Sequence, residues 1–132
     1  MKKAILLVAA VALLAVLFSC GTGGGGRAAG PAGPILNAAG APVSGTATGT
    51  APGYSSEVAV TITIVDGIIT EAIFDLSGET QAFVASILRS GPGEIVGSNR
   101  PEIDVVVGST LSAEAVNVAA KAAVNAIIAA SN

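Results

Sequence analysis

The sequence predicts an α+β domain, a small β-β-α-β-α layer with an antiparallel hairpin and a long C-terminal helix. Three observations predict it. Val58, Val60, Ile62 and Ile64 alternate up to an Asp66-Gly67 dipeptide, Ile103 to Val107 is a compact apolar run, and Val116, Ala120, Val124, Ile127 and Ile128 recur at helical spacing. A chain of 132 residues has room for one small domain.

The N-terminus precedes that domain and has a separate logic. Lys2 and Lys3 form a short positive region before fifteen apolar residues, Ala4 to Phe18. At ~1.5 Å per residue that run reaches about 22 Å, short of the ~30 Å hydrocarbon core, so it reads as an export signal rather than a spanning helix. Leu17-Phe18-Ser19-Cys20 resembles the lipobox of bacterial lipoproteins, with the chain's one cysteine at the cleavage point. That resemblance implies a signal peptide of residues 1–19 and diacylated Cys20 as the new N-terminus. It places the protein in the cell envelope, facing the periplasm or exterior and touching the membrane only through lipid. An ordinary secretory signal with a chance cysteine is the alternative. Residues 21–44 hold eight glycines and three prolines, so 20–44 is expected to be a flexible tether ahead of a domain at 45–132.

Within the domain, Glu57 to Val65 alternates, Asp66-Gly67 supplies the two positive-φ positions of a type I′ turn, and Ile68 to Leu76 returns as the second strand. Ser77-Gly78 ends it. Glu79 to Arg89 reads as a short helix with Phe83 and Ile87 four apart. Ser90 to Pro101, with three glycines and two prolines, is expected to be a loop with room for one turn at Gly93 to Val96. Ile103 to Val107 is the expected third strand, buried on both faces. Ser112 to Ala130 is the long helix, whose alanines permit close packing on a sheet.

Composition excludes several chemistries. The chain has no histidine, no tryptophan and one cysteine. Zinc clusters, haem attachment, Cys/His pairs and Ser-His-Asp triads are therefore absent, and no metal site is expected. Beyond residue 19 four basic residues, Arg27, Arg89, Arg100 and Lys121, stand against nine acidic ones, a net charge of −5. Nucleic acid is thus not an expected partner. No acid/base pair can be named, so no catalytic residue is assigned.

The strand-turn-helix junction carries the remaining chemistry. Asp104, then Gly108-Ser109-Thr110-Leu111-Ser112, sets small residues and three hydroxyls where the long helix begins. A helix N-terminus offers unpaired N–H groups to an anion such as phosphate. The same residues also serve as ordinary N-caps and turn formers. No P-loop pattern is present.

The region from Gly53 to about Ile128 resembles the FMN-binding domain found in flavin subunits of the Rnf and Na⁺-translocating quinone reductase complexes and in extracytoplasmic electron carriers. The residues that carry the resemblance are Gly49, Gly53 and Tyr54 before the hairpin at Asp66-Gly67-Ile68-Ile69, the pair Glu79-Thr80 after it, and Asp104-x-x-x-Gly108-Ser109-Thr110-Leu111-Ser112-x-x-Ala115-Val116. Val107 and Ser109 depart from the family's usual serine and alanine. The resemblance implies covalent FMN, esterified through its phosphate to Thr110 by a separate flavin transferase that uses FAD and a divalent metal. Asp104, Gly108, Ser109, Leu111 and Ser112 would then surround the cofactor. Ser109 and Ser112 are rival hydroxyls, and Glu79 and Thr80 either line the isoalloxazine or cap the short helix.

The function this implies is that of a membrane-anchored extracytoplasmic flavoprotein, an electron carrier rather than an enzyme, with redox proteins as partners. Alternatives are an accessory subunit of a larger reductase, a flavin-free lipoprotein that keeps the fold, and noncovalent FMN in the same groove.

Overall fold

The structure is a computed structural model that describes residues 31–104 and 109–132. Its elements are β1 (Gly45–Pro52), β2 (Glu57–Val65), β3 (Ile68–Asp75), α1 (Gln81–Ser98) and α2 (Thr110–Ala130). The strands form one antiparallel sheet in the order β1-β2-β3. α2 packs along β1 and β2 and α1 against β3, giving the α+β layer that the sequence predicts.

β2 follows its alternation. Val58, Val60, Ile62 and Ile64 are at most 1% exposed, and each fully buried aliphatic of this size contributes about 1.5–3 kcal/mol. Asp66 and Gly67 take φ of 50° and 79°, as the two-residue turn requires. A bulge shifts the register from Thr63↔Glu71 to Ile64↔Ile69, so Ile69 and Ala72, three apart, both face inward. In α2 the expected stripe is buried at Val116, Ala120, Val124 and Ile127, with Ile128 at its edge. This helix has the length and apolarity of a membrane span, yet its buried side lies on the sheet.

The structure adds one strand, corrects two expectations and describes only part of another. First, Gly45–Pro52, with no large apolar side chain to reveal it, is a full edge strand. Gly49 and Ala51 are buried against α2, and on the open face Thr46 and Thr48 hydrogen bond across to Thr63 and Thr61 at 3.0 and 2.7 Å. Second, the helix expected to stop at Arg89 runs on to Ser98 through Gly91-Pro92-Gly93, so Ser90 to Ser98 is not loop. An interior proline costs ~3 kcal/mol. Here one buried face, Val84, Ile87, Gly91 and Ile95, spans the proline and holds the helix together. Third, of the strand expected at Ile103 to Val107, residues 105–107 lie outside the described residues, and Ile103 and Asp104 are not in a strand. Ile103 is paired instead with the Asn117 side chain, its N–H donating to Oδ1 at 2.7 Å and its carbonyl accepting from Nδ2 at 3.2 Å. Among the described residues the order is therefore β-β-β-α-α.

Fourth, residues 32–43, expected to belong to the tether, are docked. Ile35 N–H donates to the Gly67 carbonyl at 2.8 Å, Gly67 N–H donates to the Val43 carbonyl at 2.7 Å, and Val43 is 1% exposed. The tight turn leaves backbone groups that this arm pairs, and glycine content does not reveal the two apolar residues that seat it. Asn99, buried and left-handed at φ 52°, locks the assembly: its Oδ1 accepts from Ile69 N–H at 2.7 Å, and its Nδ2 donates to the carbonyls of Gly33 and Gly67 at 3.0 and 3.2 Å. The arm and Asn99 occupy one end of the sheet. The loop after β1, the end of β3 and the starts of both helices meet at the other.

Candidate functional site

At that second end lies a cleft of about 390 Å³, lined by Tyr54, Glu79, Thr80, Phe83, Val84, Ser109, Thr110, Leu111 and Ser112. It has three walls: the β1–β2 loop, the first turn of α1 and the first turn of α2. Each wall presents one large uncovered apolar side chain, with Tyr54, Phe83 and Leu111 70%, 57% and 56% exposed. The volume is that of a small-molecule site, and apolar walls with a few convergent polar groups are the usual composition of one.

Glu79 ties the walls together. Its carboxylate is 5% exposed and accepts four hydrogen bonds, from the N–H groups of Tyr54, Ser55 and Ser56 at 3.1, 2.8 and 2.8 Å and from Ser112 Oγ at 2.5 Å. Burial pushes its pKa up, but the Ser112 hydroxyl and then the backbone N–H groups of Ser56, Ser55 and Tyr54 outweigh burial and hold it at about 2. The carboxylate is thus ionised at neutral pH and its charge is spent on the loop. Gly53 makes the fit possible, since a Cβ there would lie 2.7 Å from Glu79 Oε1 and 2.8 Å from the Ser56 carbonyl. Thr80 occupies the N-cap position of α1 without a side-chain capping bond.

The three hydroxyls of the α2 start have unlike surroundings. Ser109 is 7% exposed and donates to the Phe83 carbonyl, and Ser112 is 5% exposed and donates to Glu79. Thr110 opens α2, is exposed, and forms no side-chain hydrogen bond among the described residues. Among the described residues the first bond of α2 is Ala113 N–H to the Ser109 carbonyl, at 2.9 Å. Among the described residues the N–H groups of Thr110, Leu111 and Ser112 at the helix start have no acceptor, the arrangement that favours an anion.

The cleft gathers Glu79, Thr80, Ser109, Thr110, Leu111 and Ser112 from the residues singled out in the sequence. Asp104 is not among them: it lines a separate shallow cleft with Glu94, Arg100 and Glu102, and its N–H donates to Glu94 Oε2 at 3.1 Å. Cys20, Val107 and Gly108 lie outside the described residues. Sequence reasoning missed Tyr54, Phe83 and Val84 as lining residues. The sequence spacing pairs Phe83 with Ile87, four residues on, with Val84 and Leu88 beside them. In the structure Val84 and Ile87 are buried and Phe83 faces the cleft. No group of three or more potential metal ligands occurs among the described residues.

Comparison with curated proteins and with solved structures gives no significant match. A family model described as FMN-binding domain matches residues 53–125, more than half of the chain. The match begins at the glycine beside Glu79 and extends into the last turns of α2, so it spans all three walls of the cleft. The chain belongs to the FMN-binding domain family.

Proposed function

We propose that this protein is a lipid-anchored, extracytoplasmic electron carrier whose FMN is joined through its phosphate to Thr110. The observation that carries the attachment is the unequal state of the three hydroxyls. Ser109 and Ser112 are buried and donating, whereas Thr110 is exposed at the helix start. An incoming phosphate at Thr110 also meets the positive end of the α2 dipole.

The residues present fit the group. The three apolar side chains suit a flat isoalloxazine, and the exposed hydroxyl at the helix start suits the phosphate end. The attachment balances as a transfer from FAD: the Thr110 Oγ–P bond forms, the pyrophosphate bond breaks, AMP leaves and the hydroxyl proton is released. When bound, the flavin supplies the reversible uptake and release of electrons. The protein's own residues hold it. Glu79 fixes the loop against α2, Ser109 fixes α2 against α1, and the apolar walls exclude water from one side. Export and anchoring rest on Lys2, Lys3, the apolar run to Phe18, and Cys20.

Co-expression with a flavin transferase, followed by a denaturing gel viewed for flavin fluorescence, tests the attachment. Fluorescence travelling with the wild-type chain and lost in Thr110→Ala is expected. Retained signal in that variant would move the bond to another hydroxyl. Radiolabelled fatty acid is expected in the wild type and absent from Cys20→Ala, and label in the variant would sink the anchor.

A further inference from the structure

We propose that Tyr54 is the ring-covering residue of the cleft, its phenol lying flat against the isoalloxazine and closing the side that the helices leave open. This rests on the cleft being the flavin site. It starts from an oddity of burial. Tyr54 is 70% exposed, yet its backbone is tied to a buried carboxylate. Its N–H donates to Glu79, as do those of Ser55 and Ser56, and Gly53 N–H closes the loop onto the Ser56 carbonyl at 2.7 Å. An anchored backbone that carries an uncovered aromatic ring is preorganised for a ligand, because little further entropy is lost when the ring is covered.

The surroundings point the same way. The described residues contain three aromatic side chains, Tyr54, Phe74 and Phe83, and only Phe74 is buried in the core. The other two stand at this cleft, one on the β1–β2 loop and one on α1. Among the described residues no lysine or arginine lines it, so an aromatic ligand would be held there by stacking and apolar contact rather than by a cation. The fold does not need the Tyr54 ring, which covers almost none of the core. Of the two rings, a phenol is the better electron donor and dims a flavin that it touches, which a phenylalanine or leucine does not do. Its hydroxyl can stay in water at the rim while its face is covered.

The test compares flavin emission per molecule in the native full chain with that of the same sample denatured. Wild type is expected to be at least about fivefold dimmer when native. Tyr54→Leu should recover to within about twofold of the denatured value, with an unchanged unfolding midpoint, and Phe83→Leu should remain dim. A native wild type as bright as its denatured form, or a Tyr54→Leu variant as dim as wild type, overturns the proposal. Absence of flavin fluorescence on the denaturing gel defeats the covalent reading but not this one. The same emission comparison then runs on added FMN, free against bound, and Tyr54→Leu should bind it roughly fivefold to a hundredfold more weakly. No FMN binding at all by the folded wild type would overturn both.

Discussion

Replacing Glu79 by glutamine tests the joint that holds the cleft walls together. The carboxylate accepts two N–H groups on Oε1, from Ser55 and Ser56, and two donors on Oε2, from Tyr54 N–H and the Ser112 hydroxyl. A glutamine oxygen can keep Ser55 and Ser56. Its NH2 then faces the Tyr54 N–H, donor against donor, while the Ser112 hydroxyl can rotate to accept. One backbone donor loses its partner and the remaining bonds lose their charge assistance, a cost of about 2 kcal/mol. For a domain of this size that lowers Tm by roughly 10 °C. The pH dependence is more diagnostic. The folded pKa of about 2 lies below the ordinary 4.5, so the stabilisation is fully present above about pH 4.5 and is lost as pH falls toward 2. Discounted for solvent at the open cleft, that shift corresponds to about 1–3 kcal/mol. Urea unfolding followed by circular dichroism at pH 7, 5 and 3 measures both proteins. Other carboxylates are common to the two, so their difference isolates Glu79. The gap between wild type and Glu79→Gln should narrow steadily below pH 5. A gap that stays constant with pH, or no gap at pH 7, would refute the reasoning.

Other substitutions read other parts of the same structure. Gly53→Ala drives a methyl toward Glu79 Oε1 and the Ser56 carbonyl, at 2.7 and 2.8 Å, and should cost about 1–3 kcal/mol in urea unfolding while leaving the strand content unchanged. Asn99→Ala removes three hydrogen bonds and leaves a left-handed residue, so hydrogen exchange at Ile35, Val43 and Ile69 should accelerate at least about tenfold. Asn99→Gly, which removes the bonds but relieves the backbone, should be the milder of the two by about 1 kcal/mol. Thr110→Ser keeps a hydroxyl at the helix start and should retain gel fluorescence that Thr110→Ala loses. Pro92→Ala restores a backbone donor inside α1 and should raise the unfolding midpoint, since the helix already runs through that position.

What was legible follows from where the information lies. β2, the Asp66-Gly67 turn, β3 and α2 announce themselves because each has large apolar residues at its own period, and their cores are local patterns. β1 was silent because it is Gly, Thr, Ala and Pro, and what makes it a strand is the neighbour that pairs with it. The extent of α1 is hidden for a related reason: Gly91-Pro92-Gly93 is a local stop signal, and the core contact of Gly91 with Phe74 lies far along the chain. In the cleft, the Thr110 region and Glu79 were visible as a motif. Tyr54 and Phe83 were not placed there, since whether an aromatic ring is core or cleft depends on which side of its element finds a partner.

The sequence by itself determined the α+β class, the central hairpin, the long helix and the hydroxyl-rich helix start, because period and turn chemistry act over a few residues. It also set the inventory, with no histidine and one cysteine, that excludes Cys/His pairs and Ser-His-Asp triads. Only the tertiary structure decided that Glu79 would bind the loop to α2, that Ser109 and Ser112 would be occupied while Thr110 stayed open, and that the arm would close the far end. Those choices depend on hydrogen bonds between residues more than twenty positions apart, such as Tyr54 with Glu79 and Glu79 with Ser112. Such contacts exist only once the chain has folded around its core.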